Sequence, residues 1–334
     1  MIKLIQNEMM KLVAKKRLLV IAAIIAVLVA LFTYAQYKTV ENQRHKLGTT
    51  DWRSILQQQI IDTQNRLSSS RLSDEWKKQL QISLQQQQYY LDHDINPSEP
   101  GAPTFMRMFL ENSIDLFLPL MVMVIASDMV SSEHSLGSIK LLLTRPVRRW
   151  KVLLSKYITL CLAISLIIAI TGLISYLISG MVFGYSGWGA PVITGFNVTS
   201  TGLSTAGVKL LDQWQFLLMD FGLVWFVSIV VGTLSFMLSV LIRSTAAGMG
   251  VMLAALISGA ILSNMVSSWK SAKFLFMVNL RLTDYMKGTA PPIEGMTLSF
   301  SLAVLLAWWP QPCSSHSGYL IGVTYINGTY LLLD

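Results

Sequence analysis

Residues 131–157 read SSEHSLGSIKLLLTRPVRRWKVLLSKY. Lys140, Arg145, Arg148, Arg149, Lys151 and Lys156 make this short stretch strongly basic, and it lies between two long apolar runs. Basic residues crowded between apolar runs mark a short loop on the inner side of a membrane. The centre of the loop is apolar: Ile139, Leu141, Leu142 and Leu143 form a compact knob. A plain basic loop does not account for a leucine-rich knob turned to water, because exposed apolar patches usually mark a binding surface. Gly137 permits a bend before the knob. Thr144 is placed to cap a following helix, whose first turn tolerates Pro146.

Working outward, the composition agrees with a membrane protein. The chain has 334 residues, of which 53% are hydrophobic and 13% charged, against about 25% charged in ordinary soluble domains. The net charge of +8 raises nucleic acid as a partner. The distribution argues for none, because the basic residues cluster beside apolar runs and form no basic stripe interleaved with aromatics. Cys161 and Cys313 are too few for a disulfide framework, and His45, His93, His134 and His316 show no metal-ligand spacing.

A spanning helix needs about 20 apolar residues. Residues 18–35, 109–129, 158–183, 215–242 and 246–266 qualify, and 298–309 begins a sixth span that then stops. The fold class expected is therefore an all-α, polytopic membrane helix bundle. Lys15, Lys16 and Arg17 precede the first run like the start of a signal peptide. That run is longer than a usual signal core and no A-x-A-like site follows closely, so it reads as a retained anchor. Placing the basic 1–17 segment inside also puts 131–157 and Arg243 inside. This gives a multi-pass protein of the cell membrane with a cytoplasmic N-terminus. Ile2, Ile5, Met9, Leu12 and Val13 give 1–17 one apolar face, which reads as an interfacial amphipathic helix in contact with membrane lipids. A basic anchor flanking the first span is the simpler alternative.

Residues 36–104 are then outside, with eight basic and eight acidic residues in balance. Trp52, Leu56, Ile60 and Leu67 follow helical spacing, as do Leu72, Trp76, Leu80, Leu84 and Leu91, with Ser68-Ser69-Ser70 between the two sets. Ser73-Asp74-Glu75 looks like a helix start. The segment reads as an external helical hairpin, a spacer or packing element more than a substrate receptor, despite its Gln-rich runs at 57–59 and 85–88. Arg107, Glu111 and Asp115 stand at i, i+4 and i+8, where Arg107 is expected to pair with Glu111. Charge inside a membrane costs roughly 2.5–3.5 kcal/mol at mid-depth, so Asp115 and Asp220 are the pathway candidates. In 246–266, Ala246, Gly248, Gly250, Ala254, Ala255 and Gly259 predict close helix packing.

The chain has no phosphate-binding loop. Glu133-His134 lacks the second histidine of a zincin, and no G-x-S-x-G elbow occurs. No enzyme, catalytic residue, metal or bound cofactor is expected. Asn197 and Asn327 match the short glycosylation pattern, which carries little weight.

Glu133, Gly137-Ser138, Leu142, Thr144, Pro146-Val147, Arg149 and Lys156 resemble the inner-loop signature of bacterial ABC transporter permeases of the type-2 (ABC-2) exporter class. The order of elements over 1–309 is similar as well. The resemblance implies a six-span permease with both termini inside. It also implies a homodimer or a pairing with a related permease subunit, and a separate ABC ATP-binding subunit carrying ATP and Mg. Within it, 131–157 is the cytoplasmic coupling loop. Glu133, Gly137, Ile139, Leu142, Pro146 and Arg149 are its ATPase-coupling residues, and 1–17 is a connecting helix. The chain departs from the class at Pro310-Gln311-Pro312. No Lys or Arg follows Lys287, and 310–334 is an atypical tail that leaves the sixth span and the inside C-terminus open. A reading-frame change near Pro310 would explain the departure. The function expected is transmembrane export powered by the partner ATPase. A membrane sensor or scaffold and an ion-coupled secondary transporter are the alternatives. Drug, peptide, lipid and sodium remain open as substrates, with an amphipathic or apolar one mildly favoured.

Overall fold

The computed structural model describes residues 1–49, 51–68, 74–97, 99–135, 149–199, 202–205, 207–242, 244–265, 269–293 and 295–309. Gly137, Ile139, Leu142 and Pro146 lie outside these residues, as do Arg243 and the 310–334 tail. Glu133 and Arg149 fall within helices, but their side chains are outside the description.

The chain is an all-α polytopic bundle. Helix α1 (Ile2–Ala14) meets α2 (Arg17–Leu47) at Lys16, whose φ of 54° is left-handed. The 31 residues of α2 rise about 46 Å, more than the roughly 30 Å hydrocarbon core. The helix therefore runs past Ala35 and carries the chain toward α3 (Trp52–Leu67) and α4 (Asp74–Asp92). Asp51 caps α3 by accepting from the Ser54 amide at 3.3 Å. Leu56, Ile60 and Ile82 are buried between the pair.

The second apolar run, expected as one span over 109–129, is not a single continuous helix. It is two helices, α5 (Ala102–Ser113) and α6 (Phe117–Ser135), bent by 62°. Pro119 supplies the reason. It lacks the amide that would bond the Asp115 carbonyl, and its ring clashes with that carbonyl if the helix continues.

Helix α7 (Arg149–Phe183) joins the basic end of the 131–157 segment and the third apolar run in one rod. After it come two short antiparallel ribbons. Strand β1 (Pro191–Thr194) pairs with β4 (Lys209–Asp212), and β2 (Asn197–Thr199) pairs with β3 (Gly202–Ser204). Helix α8 (Gln213–Ile242) is the central element, buried along α6 and α7. A Cβ added at Gly232 would lie 2.7 Å from Ile164 and 3.0 Å from Val122, so this glycine lets the three helices meet.

Helix α9 (Thr245–Met265) follows, then two short 3-10 turns (Lys270–Phe274 and Phe276–Val278), α10 (Leu282–Lys287) and α11 (Leu298–Trp308). The 11 residues of α11 rise about 16 Å, half of the hydrocarbon thickness. Among the described residues, four helices are long and apolar enough to cross a membrane, and the bent α5–α6 pair makes a fifth if it is one span. Leu19, Val27, Leu31, Val251, Ile257 and Ile261 point outward from α2 and α9, as side chains bordering lipid do.

The small residues of α9 divide. Gly250 has open space around it, whereas a Cβ at Gly259 would lie 2.6 Å from the Met277 carbonyl oxygen and 2.9 Å from its carbon. Backbone cannot yield as a flexible side chain does. Gly259→Val is therefore expected to destabilise the protein by about 1–3 kcal/mol, the usual cost of overpacking. Thermal unfolding of the detergent-solubilised variant, followed by tryptophan fluorescence, checks this. A melt matching the wild type would show that α9 does not approach the 3-10 segment.

Candidate functional site

Two groups of charged residues lie at opposite ends of the bundle. The first surrounds the roots of the 131–157 loop. Glu8 faces inward from α1, and its carboxylate accepts from Lys156 Nζ at 2.8 Å and from Lys11 Nζ at 2.7 Å. Lys156 is 3% exposed and also donates to the Met129 carbonyl at 3.1 Å. Asp128, buried on α6, takes Lys15 at 3.0 Å and Arg17 at 2.5 Å. Below them Ser131 and Ser239 share a hydroxyl contact of 2.6 Å, and Ser239 Oγ donates to the Ser127 carbonyl at 2.6 Å. Helix α6 leads into the loop and α7 leads out of it. Ion pairs thus bind the α7 root to α1 and the α6 root to the α1–α2 junction, and the serines bind α6 to α8.

The buried face of α1 differs in part from its apolar stripe. Leu12 is buried, but Ile2 and Val13 are exposed, and Glu8 takes the interior position. Periodicity had one clue to this. Glu8 is the only acid in 1–17 and sits four residues before Leu12, on the same helix face.

The second group lies where α5, α8 and α10 meet. Asp220 is fully buried, and neither carboxylate oxygen has a hydrogen-bond partner among the described residues. The expected Arg107–Glu111 pair does not form among the described residues. Glu111 instead accepts from Lys287 at 3.0 Å, and the Arg107 guanidinium lies 5.4 Å above the Phe216 ring. Asp115 sits in the break between α5 and α6 and pairs with Arg281 at 2.6 Å. The bend carries it off the Arg107–Glu111 face and ties it to a half-exposed arginine. Of the two pathway candidates, only Asp220 occupies the interior. Asp284 lies beside the group. Burial raises its carboxyl above the usual range, against the pull of Lys287 and Arg281.

Glutamines fasten the α3–α4 hairpin and the ribbons at this end of the bundle. Gln86 donates to the Lys287 and Gly288 carbonyls at 2.9 and 3.0 Å, and Gln85 accepts from the Leu203 amide at 2.8 Å. Ile95 of the hairpin's exit and Ile193 and Phe196 of the ribbons form a small core, with Tyr89 and Tyr90 of α4 packed on it. Two of the glutamines in the 85–88 run are therefore packing residues.

A family profile matches residues 77–309, which contain the 131–157 loop and the whole second charge group. The chain belongs to the DUF2705 family, whose description is "protein of unknown function". Two relatives come from Bacillus subtilis (strain 168). The uncharacterized protein YhcI is 26% identical over 318 residues, covering 92% of this chain and 94% of YhcI. The uncharacterized membrane protein YdbK is 27% identical over 208 residues, covering 59% of this chain and 77% of YdbK. No solved structure matches. The apolar helices and the YdbK likeness together make this DUF2705 member a membrane protein. Among the described residues, no three His, Cys, Asp or Glu are grouped to hold a metal ion.

Proposed function

We propose that this chain is the permease subunit of an ATP-driven exporter, working as a dimer with a separate ATP-binding subunit in the bacterial cytoplasmic membrane. The observation that carries the reading is the 131–157 loop, with an apolar Ile139–Leu143 centre between a glycine bend and a basic helix start. It supplies a surface on which an ATPase docks from the cytoplasm. The ion pairs at its roots support the reading, because they give a pull on the loop a route to α1, α6 and α7 together. ATP and Mg belong to the partner. The partner drives a change only by binding two permease states unequally. Closure of two ATPase copies would then favour the state in which the loops approach each other, and the helices attached to them would switch access to a central path.

The test is biochemical. Co-expression with the ATP-binding protein of the neighbouring gene should give a complex that survives purification. Reconstituted in vesicles, that complex should hydrolyse ATP faster with its substrate present. A chain that transports with no ATPase would reverse the assignment. The second reading, an ion-coupled transporter, has one observation in its favour: a broken spanning helix beside a buried acid. It predicts transport driven by an ion gradient in vesicles containing this chain alone.

A further inference from the structure

A groove of about 600 Å³ lies at the end of the bundle that carries the β-ribbons. The β1–β4 ribbon forms one wall, and α8, α10 and the first turn of α11 form the other. Leu211, Met219, Leu223, Met286 and Leu298 line it with three glycines, and Thr194 and Lys209 are its only polar side chains. The Thr194 hydroxyl is already engaged, donating to the Met286 carbonyl at 2.8 Å. An apolar groove of this size falls within the roughly 300–1,000 Å³ that holds an organic molecule. It is open along one side, where Met219 is 40% exposed. A Cβ added at Gly222 would meet nothing within 4 Å, so α8 presents bare backbone to the open space.

Depth narrows the occupant. Trp188 and Trp214 are both exposed, and the Trp214 amide donates to the Trp188 carbonyl at 3.2 Å, which puts the two residues at one level, the start of α8. Exposed tryptophans at the end of a membrane helix mark the headgroup zone. From Gln213 to Leu223 the helix rises about 15 Å, half of the roughly 30 Å hydrocarbon layer. The deeper part of the groove therefore opens on acyl chains of the ribbon-side leaflet. Lys209 stands at its other end, on β4 ahead of α8, exposed and without an ion pair among the described residues. The acid on the same strand, Asp212, accepts from the Trp214 indole at 3.3 Å. A cation at headgroup level above an apolar slot one leaflet deep matches the charge and length of a phospholipid. An anionic headgroup suits it best, because a zwitterionic one brings a positive charge of its own toward the lysine.

We propose that the groove between the β1–β4 ribbon and α8 binds one anionic phospholipid, with its phosphate on Lys209 and one acyl chain along Met219, Gly222 and Leu223. The site requires that the chain sit in a membrane. It depends neither on export nor on an ATPase.

The full-length protein is placed in phosphatidylcholine nanodiscs with a trace of phosphatidylglycerol that carries a photoactivatable diazirine on one acyl chain. Labelled peptides are read by mass spectrometry. Labelling is expected within 219–223, and at constant probe fraction it should fall saturably as unlabelled phosphatidylglycerol replaces phosphatidylcholine. Lys209→Gln should weaken that competition about fivefold, the worth of one lysine near a charged lipid surface. Gly222→Trp fills the groove from a position with no neighbour to strike. It should melt as the wild type does and lose most labelling at 219–223, while the outward-facing Ile257 and Ile261 of α9 stay labelled as before. Labelling at 219–223 that unlabelled phosphatidylglycerol does not reduce is contact with bulk lipid and overturns the proposal. Labelling that persists in Gly222→Trp overturns it as well. So do Met219→Cys chains that cross-link in pairs where the wild type does not, because a second copy then occupies the groove. If Gly222→Trp fails to fold, Lys209→Gln decides: an unchanged preference for phosphatidylglycerol there overturns it.

Discussion

Replacing Leu142 by Asp is expected to abolish recovery of the ATP-binding subunit with this chain while leaving the chain's own melting temperature unchanged. Two terms act together. Burying a leucine side chain at an interface is worth about 1.5–3 kcal/mol. A carboxylate pressed into the same apolar contact, with no partner, adds a penalty of several kcal/mol. Their sum lowers affinity by roughly three orders of magnitude or more, since each 1.4 kcal/mol is a factor of about ten. The substitution adds no buried charge to the bundle if the knob faces the cytosol, so the permease alone should melt as the wild type does. Affinity capture of co-expressed subunits and a melt of the isolated chain test both halves. Normal capture with normal substrate-stimulated ATPase activity would remove the docking role from the loop.

Much of the fold is legible in the sequence because the bilayer acts on single segments. Each apolar run must satisfy its own backbone as a helix, so span positions follow from local composition without knowledge of neighbours. The α3–α4 hairpin is legible for a similar reason, since its stripes repeat at helical spacing. Pro119 was equally visible, and weighing it against the Asp115 carbonyl would have predicted the break in the second run. The β-ribbons at 191–212 were not visible. Their strands have three or four residues, too few to establish a period of two, and they are held by packing against α4. The charge pairs were less legible still. A helical neighbour was expected to claim Glu111, but Lys287, 176 residues away, donates to it because α10 folds back over α5. Sequence spacing shows which charges share a helix face. It does not show which distant helix will present the better partner.

The same limit applies to Glu8 and Lys156, which are 148 residues apart, and their pairing yields the second large prediction. Glu8→Leu suits the apolar face of α1 but leaves the Lys156 ammonium buried without its carboxylate. Lys156→Met removes the donor to both Glu8 and the Met129 carbonyl. Breaking a buried pair from one side costs about 3–5 kcal/mol, whereas replacing both members with apolar residues of similar size is often near neutral. Each single variant should therefore unfold at clearly lower denaturant or temperature, and the Glu8→Leu/Lys156→Met double variant should recover most of the loss. The coupling energy of this cycle, expected at about 1.5–3 kcal/mol, is the part that belongs to the pair itself. Two additive single effects would show that α1 rests on the bundle without being clamped to it. The double variant also separates stability from coupling. If the pair only holds the fold together, a complex containing it should keep substrate-stimulated ATPase activity. If the pair carries motion from the loop into α1, the stable double variant should bind the ATPase yet lose that stimulation, because an apolar contact can slide where a buried ion pair cannot.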